Sequence, residues 1–148
     1  LHIDPDKIGV SGTSAGGHLA ASVGTLSPQR PSFMILFYPV ISADTDKRHR
    51  GSFEQLLGKK HCDTPQSQEL SLEKKVDVQT PPTLLFHCDD DKVVPAVNSV
   101  LFYKQLKTYG IKSSLHIYPS GGHGWGMSSC FRYYDDWQKS VLDWLSTL

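Results

Sequence analysis

The hydrophobic positions of the chain gather in four short runs, and each run predicts a β-strand. The runs cover residues 7–12 (KIGVSG), 33–38 (FMILFY), 83–88 (TLLFHC) and 114–118 (SLHIY). The second and third runs are apolar at nearly every position, which is typical of strands covered on both faces. The pattern therefore favours a parallel sheet that is buried between helices.

Helical patterns separate these runs from one another. Residues 15–25 are small enough for a helix that lies close to the sheet, and Gly110 ends a second pattern over residues 94–109. A third pattern covers residues 131–148. Apolar residues recur at helical spacing in the last two patterns, at Val97, Val100, Leu101, Tyr103, Leu106, Tyr134, Trp137, Val141, Leu142 and Leu145. This alternation predicts an α/β fold, with a parallel sheet of about four strands and flanking helices.

Residues 42–80 break the alternation, because they are polar, charged and interrupted by prolines. Short helices are expected within this segment at residues 52–57 and 65–70. We interpret the segment as a surface excursion within a single domain that spans residues 1–148. Its basic run KRHR, residues 47–50, is typical of a solvated loop, with contact to an acidic ligand as the alternative.

Composition narrows the classes of function. With 148 residues, of which 39% are hydrophobic and 20% charged, and a net charge of zero, the chain has the profile of one globular domain. The sequence has no basic tail or basic face of the kind that would indicate nucleic acid as a partner. No apolar run approaches the roughly 18 residues that a membrane span requires. Neither a nucleic acid nor a membrane is therefore an expected partner.

Three cysteines, Cys62, Cys88 and Cys130, lie far apart without the close spacing of a metal site. Reduced thiols are the simplest expectation, and we expect no metal and no cofactor. The chain is compatible with a cytoplasmic or a secreted protein. It begins at Leu1 rather than at a methionine, so we expect the natural N-terminus to be missing.

The first candidate chemistry lies in the stretch GTSAG, residues 12–16, between the first predicted strand and the first helix. A serine in a G-x-S-x-G turn is typical of an exposed nucleophile, and Gly12 and Gly16 are expected to leave room for the turn. Ser14 is therefore the predicted nucleophile. The N–H of Ala15 is the predicted donor to a developing oxyanion. A glycine-rich packing turn is the alternative.

Acidic and basic candidates follow the third and fourth strands, at the end of a parallel sheet where active sites gather. Residues 89–91 (DDD) come after the third strand, and His123 lies among glycines after the fourth. We expect Asp91 to orient His123, and His123 to act as the base for the serine. Asp89 and Asp90 are expected to end the strand or to bind loop amides. A cation site for the three carboxylates is the less favoured alternative.

The other histidines have structural interpretations. His87 and His116 lie within predicted strands and are expected to be packed or at an edge. His18, one turn into the first helix, is expected to make a structural hydrogen bond. The remaining three, His2, His49 and His61, are expected at the surface.

These motifs together resemble the α/β-hydrolase superfamily and, more closely, its acetyl-xylan-esterase-like carbohydrate esterases. The similarity rests on the stretches IDPDKIGVSGTSAGGHLA, ILFYPVIS, TPPTLLFHCDDDKVVP and IYPSGGHGWG. It implies that Ser14, Asp91 and His123 are the nucleophile, acid and base of a serine hydrolase that cleaves carboxylic esters, with acetyl as the expected acyl group. The alanine that follows the serine, in SAGG, makes this motif more similar to that of esterases than to that of prolyl-peptidase relatives, which usually have tyrosine at this position.

A carbohydrate substrate would give Trp125 a role, since this residue lies close to His123 in the sequence. Trp125 is expected either to stack on a sugar ring or to pack in the core. Cleavage of a glycosidic bond fits the motifs poorly, because it requires two opposed carboxylates rather than a serine nucleophile.

The resemblance also implies that the chain is the C-terminal half of the hydrolase fold, N-terminally truncated, since the family carries its nucleophile near the middle of the domain. The His-Gly-Gly loop that supplies the second oxyanion donor would then be missing. The strand at residues 7–12 would become an edge of unpaired amides and carbonyls. We therefore expect the chain to associate along this strand, with a second copy or with the missing N-terminal segment.

Two alternatives to the esterase remain. The loss of one oxyanion donor costs about 10²–10³ in rate, so the chain is alternatively a truncated, inactive hydrolase-like module with a structural or interaction role. The weaker alternative is a serine peptidase of the same fold.

Overall fold

Four parallel strands form one sheet in the computed structural model, which describes residues 2–148. They are β1 (Val10–Thr13), β2 (Met34–Phe37), β3 (Thr83–Cys88) and β4 (Ser113–Tyr118). Their order in space is their order in the chain, and each neighbouring pair is parallel. The predicted α/β fold with a four-stranded parallel sheet is confirmed.

Helices connect and cover the strands. They are α1 (Ser14–Leu26), α2 (Arg50–Leu57), α3 (Pro65–Gln68), α4 (Val97–Thr108) and α5 (Tyr134–Leu145), with 3₁₀ turns at Pro5–Lys7 and Leu72–Lys75. Helix α1 follows β1 without an intervening residue. Among residues 2–148, no helix has the length and the apolar composition that crossing a membrane requires.

The side chains of β2 and β3 alternate between two hydrophobic layers, because successive residues of a strand point to opposite faces of a sheet. Leu36 and Leu85 lie with residues of α1 and α4 on one face. Phe37 and Phe86 lie with α5 on the other face. Every residue of these two strands is buried, as their apolar runs predicted. Strands β1 and β4 form the edges of the sheet and are partly exposed.

Helix α1 lies so close to the sheet that a larger residue would collide at three positions, Gly12, Gly17 and Gly24. A Cβ atom on Gly12 would lie 2.2 Å from the carbonyl oxygen of Gly16, and one on Gly17 would lie 2.7 Å from Cβ of Pro39. A Cβ atom on Gly16 would meet no described atom beyond its own helix within 4 Å. The expectation that both glycines of GTSAG leave room for the turn is therefore right for Gly12 and wrong for Gly16.

The segment 42–80 is more than the surface excursion that its composition suggested. Phe53 and Cys62 are buried with Val40 in a third hydrophobic cluster. Leu72 belongs to the layer that α1 and α4 form. These apolar residues are single positions in a polar sequence, so no period reveals their burial. The interpretation as a surface excursion is corrected at these positions.

The basic run at residues 47–50 is tied to its own segment. The guanidinium of Arg48 is nearly buried and pairs with the carboxylate of Asp63. The ring of the partly exposed His49 accepts from the N–H of Ser52 at 3.2 Å and so caps α2. Local pairing therefore describes the run better than a free solvated loop.

The apolar stripes predicted for α4 and α5 do not coincide fully with the faces that these helices bury. Val100 and Leu142 are exposed, by 40% and 69%. The buried face of α4 instead includes Asn98, whose side-chain oxygen accepts from the N–H groups of Ile41 and Ser42 at 3.0 and 2.9 Å. Its burial follows from these hydrogen bonds, which hydrophobic periodicity does not encode.

Candidate active site

Ser14 lies at the sharp turn between β1 and α1. Its φ of 52° is positive, a conformation that costs a non-glycine residue about 1–3 kcal/mol. The N–H of Val40 donates to the Ser14 carbonyl oxygen at 3.1 Å, and the close approach at Gly12 leaves the turn no room to relax. The strained turn therefore fixes the hydroxyl at the carboxyl end of the sheet.

Three side chains that the sequence analysis selected lie in one hydrogen-bonded chain. The Oγ of Ser14 lies 2.8 Å from Nε2 of His123, and Nδ1 of His123 lies 2.6 Å from Oδ2 of Asp91. Because an ionised carboxylate only accepts, Nδ1 carries the ring proton, and Nε2 is left as the acceptor that faces the hydroxyl. The structure brings the three residues together; the roles assigned to them remain predictions.

The carboxylate of Asp91 is buried and surrounded by N–H groups. Its side chain has no exposed surface. Oδ1 accepts from the backbone N–H groups of Val93 and Val94 at 2.9 Å each. Oδ2 accepts from His123 and also lies 3.3 Å from Nε2 of His87. These donors replace the water that the charge has lost and fix the orientation of the carboxylate.

His87 is fully buried beside Asp91, near the end of β3. Its Nε2 donates to the carbonyl oxygen of Val94 at 2.9 Å, and its Nδ1 lies 2.8 Å from Oγ of Ser99. Burial lowers the pKa of His87, opposed by the Val94 carbonyl and the Asp91 carboxylate, so the ring is neutral at pH 7. The expectation of a packed histidine is confirmed, but its place beside the acid was not predicted.

His123 lies in a loop whose glycines have positive φ angles. These are Gly121, Gly122, Gly124 and Gly126, with φ of 139°, 63°, 81° and 45°. The carboxylate of Asp90 accepts from the N–H groups of Gly122 at 2.8 Å and of Gly121 at 3.3 Å, as expected of an aspartate that binds loop amides. These two donors lower the pKa of Asp90.

The aspartates after β3 act separately rather than as one cation site. Asp91 bonds to an imidazole and Asp90 to loop amides. Within the part of the chain that the structure describes, no three histidine, cysteine, aspartate or glutamate side chains are grouped to hold a metal ion.

Tyr38, which the sequence analysis did not select, contacts the same loop. It directly follows β2 and has a φ of 37°. Its hydroxyl accepts from the N–H of Gly126 at 2.9 Å, and its ring centroid lies 4.8 Å from that of His123. Burial raises the pKa of Tyr38, so the hydroxyl is neutral. Its position at the end of an apolar strand, before Pro39, is the only sequence signal that points to it.

Trp125 is buried in an aromatic cluster, with 7% of its surface exposed. Its ring stacks on Phe131 at a centroid distance of 4.1 Å and meets Phe37 and Tyr38 edge-on at 5.6 and 5.0 Å. This arrangement agrees with the core-packing alternative and leaves little ring surface for a sugar. Core packing was one of the two expectations for Trp125, and the contact of Trp125 with a substrate stays a prediction.

Ala15, the predicted oxyanion donor, is exposed as the second residue of α1. Its N–H belongs to the first turn of the helix, where amides have no partner within the helix. Beside it, a cleft of about 630 Å³ opens between α1 and α2, with an apolar lining that includes Leu19 and Leu56. A carbonyl oxygen bound at Ser14 would therefore have a free amide beside it.

Two other histidines make structural contacts, as predicted. The Nε2 of His18 lies 2.9 Å from the carbonyl oxygen of Leu70, and His116 stacks on Phe86 at a centroid distance of 5.0 Å. Burial lowers the pKa of both histidines. Neither ring contacts the hydrogen-bonded chain of Ser14.

Known proteins that are similar to this chain include an esterase and a xylanase. The sequence matches the prolyl oligopeptidase family over residues 1–148. It is 39% identical to an acetylxylan esterase of Xylanibacter ruminicola, over 99% of this chain and 32% of that protein. It is 34% identical to endo-1,4-beta-xylanase B of Butyrivibrio fibrisolvens, over 83% of this chain and 21% of that protein. The chain thus spans about a third or less of the length of these relatives.

Solved structures share the fold over nearly the whole chain. The crystal structure of an acetyl ester-xyloside bifunctional hydrolase from Caldicellulosiruptor lactoaceticus aligns with a TM-score of 0.89 and 41% identity, covering 98% of this chain and 58% of that one. A sugar hydrolase from Lactococcus lactis aligns with a TM-score of 0.81 and 30% identity, covering 98% of this chain and 60% of that one. The sheet and its helices therefore correspond to part of a larger chain in these structures.

Proposed function

Because the chain belongs to the prolyl oligopeptidase family, we propose that it supplies the catalytic residues of a serine hydrolase that cleaves carboxylic esters. The resemblance to acetyl-xylan-esterase-like α/β-hydrolases, which the motifs indicated, is confirmed by the relatives. The observation that carries the proposal is the hydrogen-bonded chain from Asp91 through His123 to Ser14. An imidazole between a buried carboxylate and a hydroxyl that a strained turn positions is suited to acyl transfer.

The first half of the proposed reaction forms an acyl-enzyme. His123 Nε2 takes the proton of the Ser14 hydroxyl while Oγ attacks the ester carbonyl carbon. The N–H of Ala15 donates to the oxyanion that develops on the carbonyl oxygen. The imidazolium then gives its proton to the leaving alcohol, and the acyl group stays on Ser14.

The second half of the proposed reaction returns the enzyme to its starting state. His123 removes a proton from a water molecule, which attacks the acyl carbon of the Ser14 ester. Collapse of the tetrahedral intermediate releases the carboxylic acid, and Oγ recovers its proton from the imidazolium. In both halves Asp91 keeps the proton of Nδ1 in place and stabilises the imidazolium, because its carboxylate is buried next to the ring.

We further propose acetyl esters on carbohydrate as the substrate class. The support is that one relative is named an acetylxylan esterase and another an acetyl ester-xyloside bifunctional hydrolase. The test is release of acetate from acetylated xylan by the full protein, compared with hydrolysis of a simple acetyl ester. Activity on the simple ester without release from acetylated xylan would contradict the carbohydrate substrate but not the esterase.

The esterase itself is tested with 4-nitrophenyl acetate. Replacing Ser14 by alanine in the full protein should lower kcat by at least about 10³-fold, because the nucleophile is removed. Ser11→Ala is the matched control, since Ser11 is an exposed serine on β1 three residues earlier. Equal activity of both variants would show that Ser14 is not the nucleophile. No hydrolysis by the unmodified full protein would favour the inactive hydrolase-like module.

A peptidase is the second candidate, favoured by the description of the matching family as prolyl oligopeptidases. It uses the same Ser14 and His123 and differs only in the bond that is cleaved. Hydrolysis of a proline-containing peptide 4-nitroanilide, abolished by Ser14→Ala, would support it. Cleavage of the acetyl ester without cleavage of the anilide would contradict it.

We also propose that the sheet extends beyond β1. Among residues 2–148 this strand is at the edge of the sheet and pairs with β2 alone, so its outer backbone groups are available to another strand. The partner strand would come from a second copy or from another part of a longer protein. A clean monomer at micromolar concentration, in size-exclusion chromatography with light scattering of the isolated 148 residues, would contradict association.

A further inference from the structure

The loop that carries His123 is made of residues with unusual conformational freedom. Four glycines with positive φ surround the histidine: Gly121, Gly122, Gly124 and Gly126. Glycine visits many backbone conformations in the unfolded chain and restricts its neighbours little in the folded one. The imidazole nevertheless has to stay within hydrogen-bond distance of Ser14 Oγ, so contacts outside the loop must hold it.

Asp90 supplies one such contact, on the N-terminal side of His123. Its carboxylate accepts from two successive amides, those of Gly121 at 3.3 Å and Gly122 at 2.8 Å. Asp90 is next in sequence to Asp91, which bonds to the histidine ring itself. One short turn after β3 therefore binds both the backbone and the side chain of the loop.

Tyr38 supplies a second contact, on the C-terminal side of His123. Its hydroxyl accepts from the N–H of Gly126 at 2.9 Å. Its ring is only 3% exposed and lies edge-on to the imidazole, at a centroid distance of 4.8 Å. The positive φ of Tyr38 directs this side chain out of the line of β2, and that strain indicates a position fixed by its surroundings.

The hydrogen bond that Nδ1 of His123 donates to Asp91 does not by itself fix the ring. It constrains the distance from Nδ1 but leaves the imidazole free to swing about that atom, which moves Nε2 relative to Ser14. Anchoring the backbone before and after His123 removes this freedom. A displacement of about 1 Å at a reacting group costs up to about 10²-fold in rate.

We infer that Asp90 and Tyr38 are positioning residues for His123, each acting through a backbone amide of the glycine loop. The inference rests on the proposed serine hydrolase for its consequence on rate. Its structural content, that these two side chains restrain the loop, is independent of the substrate.

The first test compares adjacent aspartates in the full protein. Asp90→Ala should lower kcat for 4-nitrophenyl acetate about tenfold with KM within about twofold, because geometry is lost and binding is not. Asp90→Asn should fall between this variant and the wild type, since its amide oxygen still accepts one N–H. Asp89→Ala is the control, because Asp89 is an exposed carboxylate one residue earlier. It should behave as the wild type.

The second test compares two buried tyrosines. Tyr38→Phe keeps the ring but removes the acceptor for Gly126, and should lower kcat several-fold with KM unchanged. Tyr118→Phe is the control, because it removes a buried hydroxyl that donates to Asp136 at 2.8 Å and does not contact the loop amides. Its kcat should stay within about twofold of the wild type.

A readout without catalysis separates this inference from the proposed function. Hydrogen exchange of the peptide that contains residues 119–126 should be faster in Asp90→Ala and Tyr38→Phe than in their controls. Unchanged exchange overturns the inference, whatever the activity. Faster exchange with unchanged kcat overturns the positioning role. If the wild type does not hydrolyse the ester and the two variants still exchange faster than their controls, the proposed function is contradicted but the restraint of the loop is established.

Discussion

Asp91 and His123 meet at 2.6 Å although 32 positions separate them in the sequence. The reason is the pairing of β3 with β4, which ends at the partners Cys88 and Tyr118. Asp91 lies three residues beyond the end of β3 and His123 five beyond the end of β4, so both loops leave the sheet side by side. Parallel strands thus place acid and base together without any local sequence relation between them.

Replacing Asp91 by asparagine should lower kcat by about 10³–10⁴-fold. The amide donates where the carboxylate accepted, so it favours the imidazole tautomer with the proton on Nε2, and this proton then faces Ser14. The measurement is kcat for 4-nitrophenyl acetate in the full protein, with circular dichroism to check folding. Asp89→Asn makes the same chemical change at an exposed position and should be neutral. A drop in both variants would mean that charge rather than tautomer matters.

The two glycines of GTSAG should differ sharply in tolerance. Gly12→Ala should lower the free energy of unfolding by about 3 kcal/mol or more, since its Cβ would lie 2.2 Å from a backbone oxygen. Gly16→Ala should be neutral or stabilising by about 0.5–1 kcal/mol, because alanine is the better helix former and space is open there. Urea unfolding of both variants provides the comparison. Similar destabilisation in both would show that the open space at Gly16 is filled in solution.

The free energy of unfolding should fall as the pH is lowered from 7 to 5. Burial lowers the pKa values of His18, His87 and His116 in the folded protein. Below about pH 6.5 these histidines are therefore protonated in the unfolded chain while they are still neutral in the folded protein, so acidification favours unfolding. Urea unfolding at pH 7.5, 6.5 and 5.5 measures the slope. His18→Gln should make that slope shallower, and a slope equal to the wild type would exclude His18 as a contributor.

The ion pair of Arg30 with Asp77 should contribute measurably to stability. Two guanidinium nitrogens donate to the carboxylate at 2.5 and 2.8 Å, and this lowers the pKa of Asp77 to about 2. Because the Asp77 side chain is 44% exposed, solvent screens the pair, and Asp77→Asn should cost only about 1 kcal/mol. The contribution is present above pH 3.8 and lost as the pH falls towards 2.

A more exposed pair serves as the control for Asp77. Asp143 pairs with Lys139 on α5, where both side chains are largely exposed, so Asp143→Asn should change the free energy of unfolding less than Asp77→Asn does. Thermal unfolding of the two variants at pH 7 distinguishes them. Equal effects would show that the two-nitrogen geometry of Arg30 adds nothing.

The strands and the loops that follow them were predictable from the sequence for a simple reason. Strands β2 and β3 are buried on both faces, so their sequences are apolar without interruption. In a parallel sheet, residues just after each strand gather at one end, so the neighbourhood of Ser14, Asp91 and His123 followed from their positions after three strands. The G-x-S-x-G motif, the glycines around His123 and the family resemblance singled out these residues, and their catalytic roles stay predictions.

The supporting contacts were not predictable because they depend on three-dimensional packing. Tyr38 looked like the last residue of an apolar strand, and His87 looked like a packed histidine; nothing in one sequence indicates which atoms they approach. The burial of Phe53 was missed because a single apolar residue has no period. Trp125 had two plausible environments, and only its aromatic neighbours decide between them.

The order of the strands in the sheet has a consequence during synthesis. Strands β2, β3 and β4 each emerge from the ribosome after a neighbour on which they dock, so this part of the sheet can grow strand by strand as translation proceeds. The hydroxyl of Ser14 is synthesised before the imidazole that it faces, which lies 109 positions later. A nascent chain therefore holds Ser14 without this hydrogen-bond partner until β4 and the loop that carries His123 have been synthesised.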